Sequence, residues 1–387
     1  MKKKKPKTIA IFTSCRGDMG IFTPLIKKIY KSRSINVLLF VGGTHLLDSY
    51  GKTIKEIRNS KINIDGIYNY HTNKDDPFSL SESTNYSGVQ VAKIFKKFNF
   101  DFVCVLGDRY ERLPIILNSI LYKKPIIHLH GGEITEGLID EQIRHMISKA
   151  AHLHFVICDE YKKNLIKIGE SSWRINNSGS LAVDNILKVK KKDHKKILKS
   201  YGLDPKKSFA IMTYHPVTLE FKINQISQVK NIFKAIEKTD IQFLITMPGS
   251  EVGSENLIKL LKRNIKRYKN KMVLVESIGF EKLYNLIPHS AFIIGNSSFG
   301  IIEVPYFKVP TINIGDRQKG RFMHKSIINT NYKSSSIFYG IQKALNFKYL
   351  KMIKKMDYQF GNGDTANKII KVIKKTKINQ KLLRKVL

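Results

Sequence analysis

The sequence predicts an α/β protein of two Rossmann-like, doubly wound domains in succession, and three observations carry that expectation. Short apolar runs rich in Ile, Val and Phe alternate with amphipathic stretches through the first half of the chain. The alternation stops in one lysine-rich stretch, after which a second series of the same kind begins. The length, 387 residues, is long for one core and suits two.

In the first series, residues 8–12, 36–41, 102–106, 125–130 and 152–158 read as buried strands. Helices are expected between them, including one after Pro24 and one over 86–98. Such alternation implies a parallel sheet with helices on both faces. The pattern breaks at Asn185, in NILKVKKKDHKKILKSYGLDPKK, and the domain junction is placed at the start of this stretch, giving domains 1–184 and 185–364. Strands of the second series are expected at 209–213, 241–246, 272–275, 292–294 and 311–314. The last segment, 365–387, begins as a helix at the cap-like pair Asp364-Thr365 and carries Ile369, Ile370 and Ile373 on one side, so it is expected to pack back on the first domain.

Composition narrows the function classes. The basic start, Met1 to Lys7, is like the n-region of a secretion signal, but the apolar run at 9–12 is too short for an h-region and reads as the first strand. No apolar run is long enough to cross a bilayer, so no membrane role is expected. Cys15, Cys104 and Cys158 are far apart and form no CxxC pair, which fits a reducing cytoplasm. The formal charge of +37 raises the question of nucleic acid. Only 12 of the 68 basic residues are arginine, however, and the 56 lysines are spread over the whole chain. Phosphate and base recognition favours the arginine fork, so no nucleic-acid partner is expected.

Four places hold residues suited to chemistry. Gly107-Asp108-Arg109-Tyr110-Glu111 follows the buried run 103–106, which puts Asp108 at the carboxyl end of a strand, where open α/β sheets bind ligands. A plainer reading, that Asp108 caps the next helix, has equal weight. His128 and His130 end the next strand, which runs into Gly131, Gly132 and Glu133, and Asp140 and Arg144 stand i,i+4 on the helix behind, with Ile139, Ile143 and Ile147 on its buried side. The plainer reading of Asp140–Arg144 is a surface ion pair worth a few tenths of a kcal/mol. Gly295-Asn-Ser-Ser-Phe-Gly300 opens a helix that runs through Glu303, and small residues at a helix start suit an anion such as a nucleotide phosphate, with Glu303 placed to accept from ribose hydroxyls. Ordinary helix capping is the alternative there. His215, just past a second-domain strand, suits phosphate binding or proton transfer, or is a satisfied histidine beside Pro216. No HExxH or cysteine pairing suggests a metal, and neither a Walker A loop nor a GxGxxG fingerprint is present.

Six segments in order resemble the hydrolysing UDP-N-acetylglucosamine 2-epimerases, the family of the enzymes that begin bacterial sialic and legionaminic acid synthesis. They are CRGDMGIFTPLIKKI from residue 15, VLGDRYE at 105–111, HLHGGEITEGLIDEQIRHMISKAAHLHF at 128–155, GSLAVDNI at 179–186, TYHPVT at 213–218 and GNSSFGIIEVPYFKVPTINIGDRQKGR at 295–321. The resemblance implies a glycosyltransferase-B-like pair of domains with the active site in the interdomain cleft and UDP held mainly by the second domain. It assigns UDP contacts to Ser297, Ser298, Gly300 and Glu303, places Arg16 and His215 near the phosphates, and lines the sugar with Asp108, His130, Glu133 and Asp140. Arg144 and His215 join the catalytic group, and Arg109 and Arg321 the substrate-binding one. A homodimer is expected from the fold, and neither metal nor redox cofactor is required. Three places depart from the family pattern: relatives often carry Glu where His130 stands, Phe299 replaces a third serine, and Met247-Pro-Gly-Ser-Glu251 replaces the more usual Pro-Asn-Ala/Ser-Asp.

The chemistry implied is loss of UDP from C1 with removal of the C2 proton, giving a 2-acetamidoglucal, and then addition of water with inversion at C2. Asp108 and Asp140 are expected as the main acid–base residues, with His130 and Glu133 supporting. The substrate reads as UDP-N-acetylglucosamine, or as its 2,4-diacetamido-2,4,6-trideoxy analogue, with the non-hydrolysing epimerase as the nearest rival. A glycosyltransferase shares the fold but needs an acceptor. A basic binding protein without catalysis calls for clustered arginines and aromatic platforms, which the sequence lacks.

Overall fold

The computed structural model describes residues 5–32, 34–70, 74–219, 224–249, 251–268 and 271–386. Residues 1–4 of the basic start and Ser250 lie outside these. The chain forms two compact units: Met1–Glu133 with Asp140–Leu187 and Gln359–Leu387, and Ile134–Ile139 with Lys188–Tyr358.

In the first unit the elements run β1 (Lys7–Thr13), α1 (Arg16–Ser32), β2 (Ile35–Gly42), α2 (Ile54–Asn59), β3 (Gly66–Tyr68), α3 (Pro77–Lys97) and β4 (Phe102–Leu106). They continue with α4 (Leu113–Leu121), β5 (Ile126–Leu129), α5 (Asp140–Ala150), β6 (Leu153–Val156), α6 (Asp159–Lys167), β7 (Ile175–Asn177) and α7 (Leu181–Ile186). All seven strands pair in parallel in the order β3-β2-β1-β4-β5-β6-β7.

The second unit runs α8 (His194–Ser200), β8 (Phe209–Thr213), α9 (Gln225–Ile236), β9 (Gln242–Thr246), α10 (Ser254–Ile265), β10 (Met272–Val275), α11 (Phe280–Leu286) and β11 (Ile293–Gly295). It ends with α12 (Ser298–Ile302), β12 (Thr311–Ile314), β13 (Ile327–Thr330), α13 (Ser334–Leu345) and α14 (Phe347–Lys354). Its sheet is also parallel, in the order β10-β9-β8-β11-β12-β13. Each sheet therefore reverses its winding direction once, between β1 and β4 and between β8 and β11. Residues 134–139 pack with this unit: Glu136 N–H donates to Lys319 O (3.1 Å), Leu219 N–H to Gly137 O (3.2 Å), and Ile139 N–H to Thr218 Oγ1 (3.1 Å).

The strands predicted as apolar runs are present within a residue or two of their expected ends. Three edge strands, β3, β7 and β13, were not expected; they are three or four residues long and only partly buried. Two helix starts also differ. α1 begins at Arg16, not after Pro24, and Pro24 lies inside it. Proline lacks the N–H that would reach the carbonyl four residues back, and that carbonyl, Gly20 O, instead accepts from Asn185 Nδ2 on α7. α3 starts at Pro77, well before residue 86, because Asp76 caps it through Ser79 N–H (3.0 Å) and proline suits the first helical position.

The chain returns to the first unit through α15 (Thr365–Lys375) and α16 (Gln380–Leu383). Ile369, Ile370 and Ile373 join the same apolar core as Ile9, Phe22 and Phe102. The cap of α15 comes from Asp184 on α7, not from Asp364: its two oxygens accept from the Thr365 and Ala366 N–H groups, both at 3.1 Å. The tail beyond is held by buried polar groups. Arg174 donates to the carbonyls of Leu382 (2.9 Å) and Arg384 (2.7 Å), and Lys385 Nζ lies 2.7 Å from both oxygens of Glu170. His154 Nε2 is 3.0 Å from the same carboxylate.

Burial alone would raise the Glu170 carboxyl, but the His154 and Lys385 contacts outweigh it and hold it at about 2, below the ordinary 4.5. A carboxyl depressed in the folded state contributes stability that is present above its unfolded pKa and lost as the pH falls through its folded one. Glu170→Gln is thus expected to lower stability near neutral pH and to flatten acid unfolding between pH 4.5 and about 2, as followed by circular dichroism. An acid limb identical to that of the unsubstituted protein contradicts the clamp.

Candidate functional site

In an open parallel sheet, ligands bind beyond the carboxyl ends of the strands where the winding reverses. The predicted residues fall at these points in both units. Arg16 follows β1 and Asp108 follows β4 in the first unit; His215 follows β8 and Ser297 follows β11 in the second.

The first-unit cluster is organised by Arg144, whose side chain is 1% exposed. Its guanidinium donates to Asp108 Oδ2, to Glu141 Oε2 and, at 2.9 Å, to the backbone carbonyl of Glu133. Burial works against this charge, but Asp108, Glu133 and Glu141 outweigh it and raise the pKa further. Arg144 is thus buried and not a surface side chain. It ties the loop after β4, the loop after β5 and the first turn of α5 together. Arg109, not Asp108, occupies the N-cap position of the next turn, and the Asp108 carboxylate accepts from Arg144. Asp140 opens α5, where a carboxylate suits the helix terminus as well as a ligand.

His130 has φ +63°, a left-handed conformation uncommon for a residue with a side chain. Its Nδ1 lies 3.1 Å from Glu133 Oε1, and Glu133 is 3% exposed. A carboxylate can only accept, so Nδ1 carries the proton and the Nε2 lone pair is available. Nε2 is buried and has no hydrogen-bond partner among the described residues. A ring oriented by a carboxylate at one nitrogen and unengaged at the other is built to move a proton.

Arg112 and Asp18 were not singled out as site residues from the sequence, and His128 was named there without a role. Arg112 is fully buried and donates to Asp18 Oδ2 (2.5 Å), Ser14 Oγ (2.7 Å) and Leu106 O (3.2 Å), which links the loops after β1 and β4. Burial would raise the Asp18 carboxyl, but Arg112 and the Ser14 N–H hold it below the usual range. His128, pushed down to about 3 first by burial and then by His154, stays neutral. Its Nε2–H donates to Gly107 O (2.8 Å) and its Nδ1 accepts from Ser148 Oγ (3.2 Å), which holds the turn that aims Asp108. Arg109 is engaged by Glu111, with Nη2 to Oε1 at 2.9 Å.

In the second unit Asn296 does the corresponding work without charge. Its Oδ1 accepts from His215 N–H (2.7 Å) and its Nδ2 donates to His215 O (2.8 Å), so it reads both backbone groups of one residue. The Asn296 carbonyl accepts from Arg317 Nη1 (3.2 Å) and Gln318 Nε2 (2.8 Å). Loops 213–218, 295–300 and 315–321 are knitted in this way. Gly249 N–H donates to His215 Nδ1 (3.3 Å), and Glu251 Oε2 lies 3.6 Å from the same nitrogen.

Ser297 stands at the N-cap position of α12, yet its side chain makes no capping bond, so capping does not account for it. Ser298 and Phe299 follow as the first helical residues, both partly exposed. α12 is only five residues long, so its dipole is small and any anion here relies on hydroxyl and amide donors. Gly300 has a packing reason of its own: a Cβ would lie 2.9 Å from Thr311 Cγ2 on β12, and its N–H is taken by Ser297 O (3.1 Å). Glu303 ends α12 and accepts from Tyr284 (2.7 Å), and Arg321 closes the turn after β12, its N–H on Gln318 O (3.2 Å). Among the described residues no group of three or more His, Cys, Asp or Glu is placed to hold a metal ion, and no helix is long and apolar enough to cross a membrane.

Residues 27–374 match the sequence profile of a family described as UDP-N-acetylglucosamine 2-epimerase. A GDP/UDP-N,N'-diacetylbacillosamine 2-epimerase (hydrolyzing) from Campylobacter jejuni is 35% identical over 85% of this chain and 85% of its own length. A UDP-N,N'-diacetylbacillosamine 2-epimerase (hydrolyzing) from Legionella pneumophila is 28% identical over 98% of each chain. A UDP-N-acetylglucosamine 2-epimerase from Neisseria meningitidis is 31% identical over 93% of this chain and 92% of its own. Among solved structures, a UDP-GlcNAc 2-epimerase from Neisseria meningitidis bound to UDP-GlcNAc superposes with a TM-score of 0.81 at 17% identity, over 96% of this chain and 100% of that one, which shows a shared fold.

Proposed function

The chain belongs to the UDP-N-acetylglucosamine 2-epimerase family, on its hydrolysing side, and from that premise we propose that it converts a UDP-2-acetamido sugar and water into UDP and the free C2-inverted sugar. The observation that carries this reading is the cluster on Arg144: Asp108 stands at the carboxyl end of β4, where the first sheet reverses, and the Glu133–His130 pair follows the neighbouring β5. A base takes the C2 proton, the C2–H electrons form the C1=C2 bond, and the C1–O bond breaks with its pair leaving on UDP. A proton then returns to C2 from the opposite face, and water loses a proton as it adds to C1. Asp108, Asp140 and the His130 Nε2 are the groups we assign to these transfers, with Glu133 orienting His130.

In the second unit, Ser297, Ser298 and the Nε2–H of His215 serve the diphosphate, and Glu303 the ribose. Arg16, Arg109 and Arg321 add positive charge for a leaving group that departs as an anion. The loop N–H and hydroxyl donors matter more here than the dipole of the short α12. The Campylobacter and Legionella relatives favour the 2,4-diacetamido-2,4,6-trideoxy sugar as substrate. The Neisseria relative supports UDP-N-acetylglucosamine as a second reading.

We further infer a homodimer through α3 and α4, which pack together where Asn118 Nδ2 meets Gly88 O (3.4 Å). On their outer sides Phe78, Leu117 and Leu121 are 75, 58 and 68% exposed, with Tyr86, Val89 and Ile120 on the same helices, an apolar area unusual for a monomer. Light scattering is expected to give a dimer for the wild type and a monomer for Leu121→Glu; a monomeric wild type contradicts this.

Proton NMR in D₂O with each UDP-sugar tests the reaction. The expected result is UDP plus a free manno-configured sugar with deuterium at C2, formed faster from the diacetamido substrate. Asp108→Asn should slow turnover by roughly a hundred- to ten-thousand-fold, the usual worth of a positioned proton-transfer group. Release of a UDP-linked epimer, or no UDP from either sugar, overturns the proposal.

A further inference from the structure

Tyr284 lies on α11, outside every motif that marks the site in the sequence. It is 5% exposed, and its ring sits against Phe280 and Phe307, with centroids 6.1 and 6.0 Å away. Its hydroxyl donates to Glu303 Oε2 at 2.7 Å, a length typical of a charge-assisted bond to a carboxylate. Burial, and then the Glu303 charge, hold the phenol far above its ordinary pKa, so it remains a donor. The backbone beside Glu303 is pinned as well: Tyr358 donates to Ile302 O at 2.7 Å, and Glu303 N–H donates to Phe299 O at 2.8 Å. Glu303 is thus ordered at its side chain and at its main chain.

We propose that Tyr284 is a positioning residue for nucleoside recognition, its hydroxyl aiming the Glu303 carboxylate at the vicinal hydroxyls of a ribose. The proposal rests on the reading of Glu303 as the ribose acceptor. A carboxylate offers about four acceptor positions, so a bond from Tyr284 is compatible with further bonds from a ligand. A glutamate already held in one rotamer loses less freedom when the ligand arrives, and part of the preference for a ribonucleotide over a deoxyribonucleotide comes from that ordering.

Calorimetry with UDP and with 2′,3′-dideoxy-UDP, on the wild type, Tyr284→Phe and Glu303→Gln, tests this. Tyr284→Phe is expected to weaken UDP by roughly three- to ten-fold, the size of the cost of ordering one side chain on binding, and to leave dideoxy-UDP unchanged. In turnover, KM for the UDP-sugar rises while kcat holds. Equal weakening of both nucleotides would mean that Tyr284 only supports the fold, and no change for either would remove it from recognition; each overturns the proposal. If the wild type does not distinguish the two nucleotides and Glu303→Gln binds both as the wild type does, the ribose reading of Glu303 fails and the proposal with it. Wild-type discrimination that Tyr284→Phe leaves intact defeats the role of Tyr284 alone.

Discussion

The Arg144 side chain is buried and permanently charged, so the fold around β4 and β5 must supply its acceptors. It does so with the Asp108 and Glu141 carboxylates and the Glu133 carbonyl, drawn from three separate loops. Leaving such a charge unpaired in the interior costs several kcal/mol. The positions of those loops are therefore tightly determined, and the Asp108 carboxyl is held in place by Arg144 before any ligand arrives. Glu133 contributes its carbonyl to Arg144 and its carboxylate to His130, so one residue couples the fixed cation to the mobile proton.

The second unit solves the same problem of three converging loops with a neutral amide. Asn296 satisfies the N–H and C=O of His215 together and offers its own carbonyl to Arg317 and Gln318. An amide is the side chain suited to this, since it both donates and accepts. The contrast follows the chemistry proposed for each half: a charged side chain frames the loops assigned to proton transfer, and a neutral amide frames the loops assigned to the diphosphate.

Much of this was legible in the sequence because it is local. Buried parallel strands are apolar runs, and a carboxylate or histidine just past such a run, near glycine, marks a strand end; Asp108, Glu133 and His215 were found in this way. The edge strand β3, Gly66-Ile67-Tyr68, was not, because an edge needs neither length nor continuous apolar character. Arg112 lies just after one recognised motif and Asn296 inside another, but their partners Asp18 and His215 are 94 and 81 residues away, and no spacing rule reaches that far. Pro24 shows a further limit. A proline inside a helix reads as a boundary unless the carbonyl it orphans has another donor, and that donor, Asn185, is 165 residues from Gly20.

The central proposal is that Arg144 organises the proton chemistry while the nucleotide contacts come mainly from the second unit. The most direct test measures UDP affinity and deuterium incorporation at C2 in D₂O for Arg144→Met. The account predicts unchanged UDP affinity, which also reports that the second unit is intact, with deuterium incorporation lower by about a hundred-fold or more. Near-normal incorporation at C2 would contradict it.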